Sequence, residues 1–259
     1  MLKKIKIISL ILLFIITIFS INTLNETAIA QTSDGLIRLV ALGDSTPAGD
    51  GVKPSENYIR VYAEYVENDL DVEVDIINWA TSEDRSLARW VQAVTTDEIF
   101  RMDLKNADII TIWIGWYDIM PYIYKTDRVY KKELNMTTEK MGDSLHILFS
   151  EITRLADPKE TLILVAETGI PPGIVKAWKE NNTFQELKEY AYEDWRDYLV
   201  KAAEENKIKV VPTYKTYNGP EGNSILPDVY MQSDGIHLSA KGHKLMADIH
   251  RNMGYNPLK

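Results

Sequence analysis

The sequence predicts an α/β domain with a central parallel sheet covered by helices on both faces. Two observations predict it. Five short runs rich in Ile, Val and Leu are spaced along the chain, and segments of helical periodicity fill the intervals between them. Strands alternating with helices make parallel sheets, because a parallel connection has to cross back over the sheet. Near-continuous apolar runs suit strands buried on both faces.

The elements follow in order. The first strand is Ile37 to Leu42. A helix over Asn57 to Leu70 carries Ile59, Tyr62, Ala63 and Val66 on one face. The second strand is Val72 to Asn78. The helix after it, Asp84 to Val94, presents Leu87, Trp90, Val91 and Val94. The third strand is Asp108 to Ile114. Pro121 to Lys132 reads as a loop at the mouth of the site. A helix over Glu139 to Ala156 then buries Leu145, Leu148, Phe149 and Ile152. The fourth strand is Thr161 to Ala166. Thr183 to Asn206, rich in Glu, Lys, Ala and Tyr, reads as a helix with a solvated face. The fifth strand is Ile208 to Pro212. The last helix, Ser239 to Met253, opens on a serine cap and closes before Gly254. The sum is a single three-layer α/β/α domain with a central five-stranded parallel sheet and right-handed crossovers.

The first thirty residues stand apart. Lys3, Lys4 and Lys6 precede an apolar run from Ile7 to Phe19, and Ala28-Ile29-Ala30 offers small residues at a cleavage site. This is the pattern of a secretory signal peptide cleaved after Ala30, so residues 31–259 form the domain of a secreted bacterial protein. The apolar core falls short of the roughly 20 residues of a membrane span. Gln31 to Gly35 reads as a flexible lead-in.

The chain carries a net charge of −9. Three lysines against Glu26 give the first thirty residues +2, so the remainder carries −11. A surface that acidic disfavours nucleic acid and anionic lipid headgroups. There is no cysteine, which excludes disulfides, thiolate metal sites and a lipidated-cysteine anchor. Gly43, Gly49 and Gly51 do not match a dinucleotide fingerprint, and Gly51-Val52 does not close a phosphate-binding loop.

In open α/β sheets, ligands bind beyond the carboxyl ends of the strands, near a switch in strand order. Ser45 follows strand one within Gly43-Asp44-Ser45. Trp79-Ala80-Thr81 follows strand two, and Gly115-Trp116-Tyr117-Asp118 follows strand three. Asp234-Gly235-Ile236-His237 precedes the last helix. All of these fall on one edge of the sheet. A serine hydroxyl needs a base to take its proton during attack, and the base needs a carboxylate to orient it. Ser45, His237 and Asp234 supply those three groups. The backbone N–H groups of Ser45 and Ala80 offer oxyanion donors. Asp44 reads as a cap or brace of its loop, and His146, His243 and His250 as structural or surface residues. Trp113 reads as core, while Trp116, Tyr117, Tyr122, Tyr124 and Tyr130 are candidates to line a pocket for a sugar ring or an acyl chain.

The blocks Ala41-Leu42-Gly43-Asp44-Ser45-Thr46-Pro47-Ala48-Gly49 and Asp234-Gly235-Ile236-His237-Leu238-Ser239-Ala240-Lys241-Gly242-His243 resemble those of the SGNH-hydrolase superfamily, the GDSL esterases and lipases. The resemblance covers Leu36 to Met253. It implies a flavodoxin-like sheet, a nucleophilic Ser45, and Asp234 and His237 as its partners. It also implies hydrolysis of carboxylic esters, on acetylated glycans or lipid and other acyl esters, through an acyl-enzyme and without cofactor or metal. Acyl transfer, or glycan or lipid binding without turnover, are the alternatives. Two positions depart from the family pattern. Ala80 stands where a glycine supplies an oxyanion N–H, and Tyr117 stands where an asparagine side chain is the oxyanion donor.

Overall fold

A computed structural model describes residues 35–83, 86–125 and 128–258. The segment read as a signal peptide, residues 1–30, lies outside the described residues, as does the lead-in except for Gly35.

In chain order the elements are β1 (Leu36–Gly43), α1 (Ser45–Ala48), α2 (Tyr58–Leu70), β2 (Glu73–Asn78), α3 (Leu87–Thr96), α4 (Glu98–Lys105) and β3 (Ile109–Trp113). Next come α5 (Trp116–Ile123), α6 (Lys131–Leu155), β4 (Leu162–Ala166), α7 (Pro172–Glu180) and α8 (Phe184–Leu187). A π-helical turn over Lys188–Glu193 leads into α9 (Asp194–Glu205), followed by β5 (Lys209–Val211), α10 (Thr213–Asn218) and α11 (Ala240–Asn252). Among the described residues, no helix is long and apolar enough to cross a membrane.

The five strands form one parallel sheet in the order β2-β1-β3-β4-β5, as in flavodoxin-like folds. Leu39 pairs with Ile109, Gly43 with Trp113, Ile109 with Leu162, and Leu164 with Lys209. The strands alternate their apolar side chains between two cores. Leu39 and Ala41 of β1, with Leu162 and Leu164 of β4, pack against Tyr58, Tyr62 and Val66 of α2 and Met246 of α11. Val40, Leu42, Ile110, Ile112, Ile163 and Val165 face the opposite way, onto Trp90 of α3, Leu145, Leu148 and Phe149 of α6 and Trp195 of α9. Both alternations are therefore apolar, which is why the runs read as continuous. Each fully buried Leu, Ile or Val contributes about 1.5–3 kcal/mol, enough to outweigh the weak local propensity of runs this short.

The strand order reverses at β1. The chain goes outward to β2 and returns past β1 to β3, so a crevice opens between the carboxyl ends of β1 and β3. Gly43 sits at that point. A Cβ there would collide with the Trp113 carbonyl and the Pro47 ring, so only glycine lets the two strand ends approach. The next N–H, that of Asp44, donates to the Trp113 carbonyl at 3.2 Å.

Several expectations are corrected. Pro121 to Lys132 is not wholly loop, because α5 runs through Pro121 to Ile123 and α6 begins at Lys131. Ile119 and Ile123 lie four apart and are both buried, which anchors α5 despite the proline. Leu134 and Thr138 extend the buried face of α6 upstream of Glu139, and the helix begins about two turns earlier, at Lys131. The segment Thr183 to Asn206 is two α-helical pieces joined by the π turn. Helices α4, α7 and α10 lie where no helix was expected.

Candidate active site

The site starts from one short helix. The Asp44 side chain caps α1 by accepting the Thr46 N–H at 3.1 Å, which places Ser45 in the first turn beyond β1. The turn is held from beneath. The side-chain amides of Asn57 and Asn78 both donate to the Pro47 carbonyl, at 2.9 and 2.8 Å. The Ser45 carbonyl accepts the N–H groups of Gly49 and Asp50, each at 3.0 Å.

The second half comes from the loop before α11. Asp234 Oδ1 accepts the N–H of Ile236 at 2.9 Å and of His237 at 3.0 Å. Asp234 Oδ2 lies 2.6 Å from His237 Nδ1. Gly235, at φ +68°, makes the tight turn possible and packs against Gly173 at the start of α7.

Ser45 and His237 line one cleft of about 280 Å³. Asp44, Asp50 and Ser82 share its polar side, and Trp116, Tyr117, Met120 and Tyr124 of α5 and the turn after it form its apolar wall. Trp113, expected in the core, is buried yet reaches the cleft, as does Tyr217. Tyr122 and Tyr130 are not among its lining residues and pack on each other instead, with ring centroids 6.4 Å apart.

The two residues that depart from the family pattern are differently engaged from expectation. Ala80 is not among the lining residues, and its N–H donates to Asn78 Oδ1 at 3.0 Å. A side-chain oxygen two residues upstream takes this N–H. Tyr117 does line the cleft, but its hydroxyl donates to the Ser82 carbonyl.

Electrostatics separates the carboxyls. Burial pushes Asp44 up to about 7, against the pull of the Thr46 N–H and the nearby His237. Burial also opposes ionisation of Asp234, but hydrogen bonds from the His237 ring and from the N–H groups of Ile236 and His237 hold it below the usual carboxylate value. The remaining histidines are placed as structural or surface groups. His243 accepts the Tyr58 N–H on Nδ1 at 3.1 Å, and burial lowers its pKa to about 4. His250 is buried, with Nδ1 2.8 Å from the Met246 carbonyl, and burial lowers it to about 4 as well. His146 is exposed, 3.3 Å from Glu205.

Sequence reasoning missed Thr168, Gly169 and Pro171, which line the cleft after β4, and Tyr217 of α10. The first three obey the carboxyl-end rule that located the other loops, so that signal was present. Tyr217 comes from a helix with no readable periodicity.

Chemically, the cleft brings together a hydroxyl, an imidazole and, behind the imidazole, an ionised carboxylate. The chain matches the family of GDSL-like Lipase/Acylhydrolase over residues 39–249. It is 24% identical over 231 residues to the spore germination lipase LipC of Bacillus licheniformis, covering 86% of this chain and 99% of that protein. The fold is similar to the crystal structure of the lipase Lip_vut3 from a goat rumen metagenome, with a TM-score of 0.69, 20% identity and coverage of 85% and 99%. It is also similar to an acetyl xylan esterase, AlAXEase, with a TM-score of 0.55, 15% identity and coverage of 84% and 100%. The chain belongs to the GDSL-like lipase and acylhydrolase family, and it is a carboxylic ester hydrolase of that type.

Proposed function

We propose that the chain hydrolyses esters through a covalent acyl intermediate on Ser45. His237 Nε2 takes the Ser45 proton as the hydroxyl attacks the ester carbonyl, and returns it to the leaving alcohol. Asp234 fixes the tautomer that makes this possible, with the proton on Nδ1, and stabilises the imidazolium. Water, activated by the same histidine, releases the acid. The Ser45 N–H stabilises the oxyanion. Ala80 and Tyr117, whose donors are engaged at Asn78 and Ser82, brace the surrounding loops. The observation that carries this reading is that Ser45 and His237 line one cleft while Asp234 holds the far nitrogen of the imidazole at 2.6 Å.

The substrates proposed are acetylated glycans or lipid and other acyl esters. The aromatic wall suits either a sugar ring or an acyl chain. The basic start and apolar run of residues 1–30 support export from a bacterial cell, with cleavage after Ala30. Transfer of the acyl group to an alcohol instead of water uses the same intermediate. A second reading, a binder without turnover, is favoured by one observation, that the Tyr117 hydroxyl is engaged with Ser82 where the family places a free amide donor.

A fluorophosphonate probe separates the readings, because it labels only an activated serine. Mass spectrometry of the labelled protein should find the adduct on the peptide holding Ser45, with none in Ser45→Ala. A folded wild type that stays unlabelled contradicts hydrolysis and supports the binder.

A further inference from the structure

The loop carrying Asp234 and His237 and the loop following Ser45 lie 182 residues apart in sequence at their meeting point, yet one side chain joins them. Gln232 Nε2 donates to the Asp50 carbonyl at 2.8 Å and to the Leu238 carbonyl at 2.9 Å. The backbone of the same residue donates to the His237 carbonyl at 2.8 Å and accepts the Gly235 N–H at 3.0 Å. On the other side, the Asp50 N–H donates to the Ser45 carbonyl at 3.0 Å. A path of hydrogen bonds therefore runs from Ser45 through Asp50 and Gln232 to His237, with only two residues between the ends.

The local sequence is built to admit this contact. Gly51 has φ +77°, and a Cβ there would collide with the Gln232 amide, so glycine lets that amide lie flat on the loop. The Asp50 carboxylate extends the path by accepting the Ser82 hydroxyl, and the Ser82 carbonyl accepts the Tyr117 hydroxyl. The loops after β1 and β2, the first turn of α5 and the loop before α11 are thus laced together, with Gln232 as the link that reaches the histidine.

We infer that Gln232 is a positioning residue that sets the His237 imidazole against the Ser45 hydroxyl. The inference rests on the proposed roles of Ser45 and His237. Proton transfer in the attack step needs heavy atoms at hydrogen-bond distance, and a misplacement of about 1 Å can cost 10²-fold in rate. Gln232 is not among the residues lining the cleft, so its loss alters rate through geometry while the Trp116, Met120 and Tyr124 side of the wall is kept.

The test is Gln232→Met, which keeps the side-chain length and removes both N–H donors, beside Gln232→Glu, which turns the donor into a carboxylate facing two carbonyls. Two readouts are taken, steady-state hydrolysis of a soluble aryl ester and amide hydrogen exchange by mass spectrometry. The expected result is a kcat lowered about 10–100-fold with KM within about twofold. Exchange should rise together in residues 45–52 and 232–238 and stay unchanged in α6. A folded variant with wild-type kcat overturns the inference. So does exchange that rises in one loop only, or a loss of kcat matched by faster exchange throughout the sheet. If neither variant folds, exchange in the wild type still decides, since linked loops open with a common free energy and unlinked loops do not. Wild-type protein that lacks Ser45-dependent turnover contradicts ester hydrolysis itself, a result distinct from any change in the coupling of the two loops.

Discussion

A single carboxylate governs both the backbone and the ring of His237. Asp234 Oδ1 accepts the His237 N–H at 3.0 Å, while Oδ2 lies 2.6 Å from its Nδ1. The three-residue spacing and the left-handed Gly235 between them make the double contact possible. In the proposed mechanism this contact keeps the proton on Nδ1 and leaves Nε2 to act as the base.

Asp234→Asn tests that relationship. The amide still accepts the backbone N–H groups, so the turn persists, but it can donate to Nδ1 and favour the wrong tautomer. The expected loss in kcat is on the order of 10³–10⁴, with KM little changed. Steady-state kinetics with a soluble aryl ester measures it, and a loss of less than tenfold contradicts the orienting role.

Tyr117→Phe tests whether the tyrosine hydroxyl replaces the family amide. Loss of an oxyanion donor costs on the order of 10²–10³ in rate. The Tyr117 hydroxyl donates to the Ser82 carbonyl, so its removal should loosen the loop after β2 and cost less than about tenfold. A loss of 10² or more in kcat would show that it turns to the oxyanion in the transition state.

Asp44 makes stability depend on pH in an unusual direction for a carboxylate. Its folded pKa of about 7 lies above the ordinary 3.8, chiefly through burial. The unfolded chain ionises first as pH rises, so stability is present in full below about 4 and is lost as pH rises through 7. Asp44→Asn keeps the cap of α1 and removes the titration. Relative to wild type, the variant should gain about 3 kcal/mol between pH 4.5 and pH 8. Urea unfolding at the two pH values measures this, and a constant difference contradicts it.

His250 acts in the opposite sense. Burial lowers its folded pKa to about 4 from 6.5, so the neutral ring is favoured in the fold and its stability is lost as pH falls from about 6.5 to 4. His250→Phe, packed between Tyr58 and Tyr62, should gain about 2–3 kcal/mol on wild type between pH 7 and pH 4.5. The same unfolding series at the lower pH checks it, and a gap independent of pH contradicts it.

The strands and the histidine loop were legible because their causes are local. β1, β3 and β4 are apolar on both alternations, and the Asp-Gly turn fixes Asp234 and His237 within four residues. The parts that were not legible depend on distant partners. α5 holds across Pro121 because Ile119 and Ile123 meet a core built from other segments. Ala80 was expected as an oxyanion donor, yet the Asn78 side chain takes its N–H, and that side chain is also held by the Pro47 carbonyl thirty-one residues away. The contact of Gln232 with Asp50 has no local signal at all.

The central claim is that Ser45 is the nucleophile of an ester hydrolase. The most direct test is hydrolysis of p-nitrophenyl acetate and its longer acyl homologues by the purified protein beside Ser45→Ala. The account predicts turnover in the wild type that disappears in Ser45→Ala, both proteins unfolding cooperatively. Turnover that survives in Ser45→Ala, or a folded wild type inactive on every chain length, would contradict it.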